Sequence, residues 1–389
     1  MVNGDLKPSD RPAGSIAGKA LWGMGFQPPA NATMLAVGGS IQKTASGRII
    51  WVGGNTRIGG RDVGNQMKIT TRDNLLKVNA KTDMLNGYPY ADQKSASIRQ
   101  NLGRVNALKV DTDGDGTLDM DYNNYVSKTL IPLSDKLHTL QTTGTIALGT
   151  APAVPNYGWS VSDANKYLDP NDPRPSPYIK VSLPVEWVLK FTGDGQNHRQ
   201  VFNLNLDAIE RKIYDSDEVV NGGFSLSFNN IPDGQAIIIN VSKRNNIVDW
   251  DPGWRIWVNG RDYSTAINKR DASLSRYRSI ASRIMWNFPN TTNLTLRNGS
   301  ISAYADWGIH KKNAWYYDTS ANQTNSGVLF PGSILLPRGS MYDYGDTNGR
   351  LLIGKDLTLD IWEHHNAPWI GFDEPQCFAV TGKTTATLQ

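Results

Sequence analysis

This sequence has almost no cysteine. Its single thiol, Cys377, stands near the C-terminus, so no disulfide can form within the chain and stability has to come from packing, with metal ligation as the other recourse. Such cysteine poverty fits an exported protein. Long hydrophobic runs are missing too: none reaches the roughly 20 residues that a membrane-spanning helix needs. Nor is there an excess of one charge. Against 40 Lys and Arg stand 36 Asp and Glu, a net charge of +4, which argues against a nucleic-acid partner. The familiar catalytic strings are absent: no HExxH, no Gly-rich phosphate loop followed by Lys, no GxSxG. The chain therefore reads as non-enzymatic, although a carboxylate pair for glycoside cleavage is set by spatial distance and leaves no sequence mark. Met1-Val2-Asn3-Gly4 reads as an added start on a piece of a longer protein rather than as an export leader.

What the sequence does contain is glycine, 37 residues, and tryptophan, 12. The glycines punctuate short β-branched runs. "MLAVGGSI" and "RIIWVGGNTRIGG" place two VGG units, at Val37 and Val52, 15 residues apart. A second such set comes late, in "VLFPGSILLPRGS" and "RLLIGKDLTLDIW". Short strands closed by turn glycines at a recurring interval predict a parallel β-solenoid; a sandwich with Gly-rich hairpins fits the same runs. Between the sets lie two amphipathic helical patterns within about residues 93–142. "SASIRQNLGRVNALKV" puts Ile98, Leu102, Val105 and Leu108 on one face. "YNNYVSKTLIPLSDKLHTL" does the same with Val126, Leu130, Leu133, Leu137 and Leu140, with Pro132 set to bend or split it and Gly144 to end it. Residues 151–184 are Pro-rich and read as an excursion from the strands.

The run "DTDGDGTLDMD" joins the two helical patterns. Asp111, Asp113, Asp115 and Asp119 fall at positions 1, 3, 5 and 9 of an EF-hand-like loop, Gly116 at the sharp sixth, and the Thr117 carbonyl at the seventh. Position 12 holds Tyr122 instead of the bidentate Glu, with Asp121 beside it as a substitute. The expectation is a structural calcium ion of weak affinity, about 10⁻⁴ to 10⁻³ M. An acidic, solvated turn is the plainer reading of the same residues.

The functional lead lies in the aromatic residues. "DWDPGWRIW" carries Trp250, Trp254 and Trp257, and "ADWGIHKKNAWYYD" carries Trp307, Trp315, Tyr316 and Tyr317. The second cluster sits in polar sequence without strand alternation, so it is expected on a surface loop, where large rings stack on sugars or proline-rich protein; they serve equally well to pin a long loop. Residues 255–312 hold ten Lys or Arg against three Asp, among them Arg270, Arg276, Arg278 and Arg283. A basic rim for an acidic partner, or simply a solvated face, follows. In "WEHHNAPW", His364 and His365 point apart on a strand and have no evident further metal ligand nearby.

The order of these pieces is distinctive. After the Gly-punctuated strands come "LSDKLHTLQTTGTIAL", "NIPDGQAIIINV", "SRIMWNFPNTTNLTL", "PGSILLPRGSMY" and "EHHNAPWIGF". This order resembles the choice-of-anchor A, or ice-binding-like, adhesive domain of Gram-positive bacterial surface adhesins, most specifically in "WNFPNTTNLTL" and the "PGSILLP" step after it. The resemblance covers residues 31–375, with 1–30 as an N-terminal segment and 376–389 as a tail or linker start. It implies a mainly β fold: a right-handed parallel β-solenoid with a long α-helix packed alongside and several loop insertions. It implies display at the cell wall or on a pilus, as a monomer anchored through sequence outside this chain. The function expected is adhesion to a host extracellular-matrix protein or surface glycan, with contact through Trp307, Trp315, Tyr316, Tyr317 and Trp254 and support from Arg276 and Arg278. A polysaccharide-active solenoid enzyme and a non-binding stalk are the alternatives. Literal ice binding ranks behind them, because "TTNLTL" and "LTL" are too short for a regular threonine face.

Overall fold

The computed structural model describes residues 1–2, 6–8, 33–40, 42, 50–52, 55–58, 67–69, 84–85, 88–89, 109–110, 120–121, 124–152, 185–215, 220–250, 252–263, 279–296, 330–343, 345, 347–359, 364–365 and 369–371. They are mainly β, and most of the pairing is parallel. One sheet runs Gln200–Asn205, Ile237–Ser242, Ile284–Asn287, Ser333–Leu336, Leu351–Ile353. A second runs Ile247–Trp250, Asn293–Leu296, Ser340–Asp343, Leu357–Leu359 and then Leu6–Pro8. Each strand of the first after Gln200–Asn205 is followed along the chain by one of the second, so each of these passes adds one strand to both sheets. A third sheet precedes them: Val185–Thr192, Val220–Asn229 and Pro252–Val258 are parallel, and Thr145–Pro152 closes the edge antiparallel.

The tightest passes place register partners 16 or 17 residues apart, as in Met341 with Leu357 and Ile334 with Leu351. Their corners are glycine because successive passes touch there. A Cβ on Gly349 would strike the Gly332 carbonyl, and one on Gly354 would strike that of Pro337. Earlier partners lie further apart: Asn203 pairs with Asn240, and Asn240 with Asn287. The VGG interval is not a pass: Val37 pairs with Ile58 and Val52 with Ile69, so the two units do not lie on one another. The described residues of the N-terminal segment join the sheets. Val2 bridges Ile353 on one side and Val37 on the other, and Leu6–Pro8 pairs with Leu357–Leu359.

The core between the sheets is aliphatic at its flanks and aromatic along its axis. Trp286 packs at 5.2 Å from Trp250 and 5.1 Å from Phe330, and Phe191 stacks on Phe228 at 5.0 Å. The buried Trp286 indole donates to the Pro331 carbonyl at 2.7 Å, which satisfies its only polar group. Trp250 is 1% exposed. It is therefore a core residue, not part of a surface aromatic cluster.

"IIINV" does not alternate because both faces of its strand are covered. Ile237, Ile239 and Val241 face the core, while Ile238 meets a helix. That helix is a π-type turn, Val126–Leu130, continued by α1, Ile131–His138. The widened turn directly precedes Pro132, which has no N–H to offer an α-helical ladder. Leu130 and Leu137 are fully buried against Val201, Ile238, Met285 and Leu335, with Val126, Leu133 and Leu140 beside them, so the expected apolar stripe holds. The helical run is 13 residues, shorter than the long helix expected. It spans about 20 Å, enough to cross four strands spaced about 4.8 Å apart. Gly144 does not end it: Thr139 caps the helix, and Gly144 is small because a Cβ would meet Thr192 and Phe202.

An asparagine ladder fastens the helix to the sheet. Asn203, Asn240 and Asn287 stand in register. Asn287 Nδ2 donates to Asn240 Oδ1 at 2.8 Å and to the Ser134 carbonyl at 2.9 Å. Asn240 Nδ2 donates to Asn203 Oδ1 and to the Leu137 carbonyl, both at 3.0 Å. Each buried amide is thereby paired, which such burial requires. The core ends under α2, Leu206–Asp215, which follows the first strand of the helix-covered sheet and buries Leu206 and Ile209.

Candidate binding surface

The three sheets leave three corners, and the inserted chain does not leave them at random. Turns from the helix-covered sheet to the open second sheet are short. Residues 297–329 depart after the second-sheet strand that ends at Leu296 and return at Phe330–Pro331, which opens a separate parallel set with Thr347–Asn348 and His364–His365. Residues 153–184 depart between Pro152 and Val185, an antiparallel pair at the start of the third-sheet strand Val185–Thr192. Both segments exceed 30 residues, and each re-enters at the start of a strand that leads into the helix-covered sheet, Val185–Thr192 into Gln200–Asn205 and Phe330–Pro331 into Ser333–Leu336.

Trp307, Trp315, Tyr316 and Tyr317 fall in the first of these segments, outside the described residues. Trp254 lies near the start of the strand Pro252–Val258; its side chain is outside the described residues. Arg276 and Arg278 also lie outside them, in a segment rooted between Tyr263 and Ser279 at the opposite end of the third-sheet strands. The sequence grouped them with the aromatic loop, but their roots are on a different corner. Arg283 leaves the basic group altogether. Its Nε donates to the Gln235 carbonyl at 2.6 Å and its guanidinium to that of Pro232 at 2.8 Å, and burial lowers its pKa. It is a brace for the corner.

Asp111, Asp113, Asp115, Thr117 and Asp119 lie outside the described residues, and of Asp121 only the backbone is described. The ends of their loop are placed. Lys109–Val110 and Met120–Asp121 form an antiparallel ribbon, with Lys109 opposite Asp121 and Val110 opposite Met120. Strands, not helices, thus flank the acidic run, and the second helical turn begins after it. The ribbon brings both ends of the loop together, which a ring of oxygen ligands around one ion also requires.

His364 meets two groups that the sequence did not connect to it. Thr347 Oγ1 lies 3.0 Å and the buried Asp343 Oδ2 3.4 Å from the same atom, Nδ1. A nucleophilic relay needs the hydroxyl on one ring nitrogen and the carboxylate on the other, so this trio does not make one. It ties three consecutive passes together across the corner. Another polar knot surrounds buried Gln200. Its Nε2 donates to Asp194 Oδ1 at 2.9 Å, and its Oε1 accepts from the Asp194 N–H at 3.1 Å. The Gln196 backbone N–H and then the Gln200 amide lower the Asp194 pKa. Among the described residues no cluster of three His, Cys, Asp or Glu is arranged to hold a metal, and no helix is long and apolar enough to cross a membrane.

The open sheet presents Asp249, Thr295, Tyr342, Thr358 and Lys7 in one register row. Its charge and its tyrosine interrupt any regular array of threonines. A family model for an ice-binding-like adhesive domain matches residues 23–304 of the chain. No curated protein and no solved structure matches it.

Proposed function

Because this chain belongs to the ice-binding-like adhesive domain family, we propose that it is the adhesive module of a bacterial surface protein whose edge loops hold a host extracellular protein or surface glycan. Adhesion implies an external partner and exposure at a surface. The observation that carries the finer reading is that residues 153–184 and 297–329 both re-enter the scaffold at the start of a strand leading into the helix-covered sheet. Insertions gathered on one face of a repeating scaffold often make its binding face, and these two segments carry Trp307, Trp315, Tyr316 and Tyr317 and the Pro-rich excursion. The scaffold in this proposal is a right-handed parallel β-solenoid. Its support is the one-strand-per-sheet advance of successive passes and their 16- to 17-residue minimum. Cell-wall or pilus attachment, through sequence outside this chain, belongs to the same proposal, as does a monomeric state.

Calcium enters as a brace in the Asp111–Asp121 loop, closed by its ribbon, and not as part of the contact surface. The test is binding of the purified protein to immobilised collagens, fibronectin, fibrinogen, mucin and glycans, in calcium and in EDTA. Saturable binding that survives EDTA and is lost in Trp315→Ala is expected. Full retention by Trp315→Ala would remove the aromatic loop from the contact. EDTA is expected to lower the melting temperature, and an unchanged melting curve after complete demetallation would refute the brace.

A further inference from the structure

Two clefts open at corners of the described structure, and their asparagines are used in opposite ways. The wider, about 390 Å³, lies at the corner from the third sheet to the helix-covered sheet, beside Asn230 and Asn259. Both carboxamides there are committed to the chain. Asn230 Nδ2 donates to the Gly193 carbonyl at 3.0 Å, and Asn259 exchanges bonds of 2.7 and 3.0 Å with the backbone of Ile231. A ligand would have to break the turn to use them.

The smaller, about 260 Å³, lies at the corner from the helix-covered to the open sheet, where α2 takes the place of a first open-sheet strand. Asn205, Asp207, Arg244, Asn246, Asn290 and Thr291 line it. The corner's frame is built from main chain. Asp207 Oδ2 accepts the Arg244 backbone N–H at 2.8 Å, and the Asn246 carbonyl accepts the Thr292 N–H at 2.8 Å. Asn246 holds φ at 57° to make the turn. The side chains are left over: among the described residues, neither the carboxamides of Asn205, Asn246 and Asn290 nor the Arg244 guanidinium hydrogen-bonds to protein.

We propose that this cleft binds one neutral glycosyl residue, at a site separate from the edge loops. Three carboxamides, a guanidinium, one carboxylate oxygen and a hydroxyl bring donors and acceptors together in a small space. Sugar hydroxyls, each both donor and acceptor, are the ligand groups that use such a mixture. The charges are balanced: Lys243 pairs with Glu210 at 2.6 Å, and Arg244 sits beside Asp207. A phosphate would want a net positive, Arg-rich site, and a hard cation several carboxylates. The volume lies just below the usual range for small-ligand pockets, which fits a single ring rather than a chain. The site differs from the proposed aromatic contact in both corner and chemistry.

Saturation-transfer NMR of the whole chain tests it, with the methyl glycosides of glucose, galactose, mannose and N-acetylglucosamine as probes and that of N-acetylneuraminic acid as the anionic control. At least one neutral glycoside is expected to bind in the millimolar range. The Asn205→Ala/Asn290→Ala double variant is expected to weaken it about tenfold or more without changing the melting temperature, since both side chains are exposed and carry no fold contact. Trp315→Ala is expected to leave it intact, whatever that change does to adhesion. Three outcomes overturn the site: no transfer to any neutral glycoside, transfer that persists in the double variant, or transfer confined to the neuraminic acid glycoside. Loss in Trp315→Ala alone would also overturn it, by assigning the sugar to the aromatic loop.

Discussion

The helix-covered sheet and the open sheet are built by the same passes of the chain and have opposite outer faces. On the first, Val201, Ile238, Met285 and Leu335 lie under Leu130 and Leu137. On the second, Asp249, Thr295, Tyr342 and Thr358 meet solvent in one register row. Inward the two are alike, all apolar apart from the corner residue Asp343 and the first-pass Gln200. A covering layer, not the backbone, therefore decides what each outer position tolerates. It also shows why adhesive contacts are sought at corners and on the open side: the covered face is spent on stability.

The sharpest way to break the comparison is to place the same charge on both faces. Met285 is 2% exposed beneath the helix, and Thr358 is half-exposed with Lys7 beside it in register. Met285→Asp puts a carboxylate into an apolar seam without a partner and is expected to cost more than about 4 kcal/mol, enough to unfold a marginal domain. Thr358→Asp is expected to stay within about 0.5 kcal/mol. Urea denaturation of both variants measures the difference. Equal losses would mean that the helix does not seal its sheet.

How much of this was readable in the sequence depends on the distance over which each feature is encoded. The helical stripe from Val126 to Leu140 is local, so its spacing alone located it. The core role of Trp250 was not local. Its partners Phe224, Trp286 and Phe330 are brought in by different passes, and in sequence it stood beside Trp254 as one aromatic cluster. The asparagine ladder shows the same limit more clearly. Asn203, Asn240 and Asn287 share a register row only because insertions of unequal length separate their strands, and no fixed period links them. The VGG units had a fixed interval, and it misled, because each pairs with a later strand and not with the other. The sugar-sized corner cleft left no sequence signal, since its asparagines come from three separate turns.

A second effect sharpens the contrast through pH. The Met1 amino group is buried in the helix-covered sheet, donating to the Leu351 carbonyl at 2.6 Å. Burial, reinforced by Arg350, lowers its pKa from 8.0 to about 5. Between those values the unfolded chain carries the proton and the folded chain does not. Stability is therefore greatest above pH 8, falls as the pH drops through this window, and levels off below about 5. Three pKa steps correspond to about 4 kcal/mol. Urea midpoints at pH 8.5 and 5.5 test it, and a flat profile would mean that the amine is solvated. Asp194 titrates lower: its depressed pKa supplies stability that is lost only as the pH falls further, below the ordinary carboxylate range.

The smallest effect separates sealing from fastening. Asn287 is fully buried, so Asn287→Ala both empties space and strands two acceptors, the Ser134 carbonyl and Asn240 Oδ1, and one donor, the Ser134 hydroxyl. An unsatisfied buried group costs about 1–3 kcal/mol, and the loss here is expected near 2 kcal/mol because Asn240 keeps its bonds to Leu137 and Asn203. If the ladder fastens the helix, that loss should come with faster amide exchange across Ile131–His138, while strands of the open sheet keep their protection. Uniform loosening of both sheets would instead make the ladder part of one cooperative core, and the helix no more separable from the stack than any strand in it.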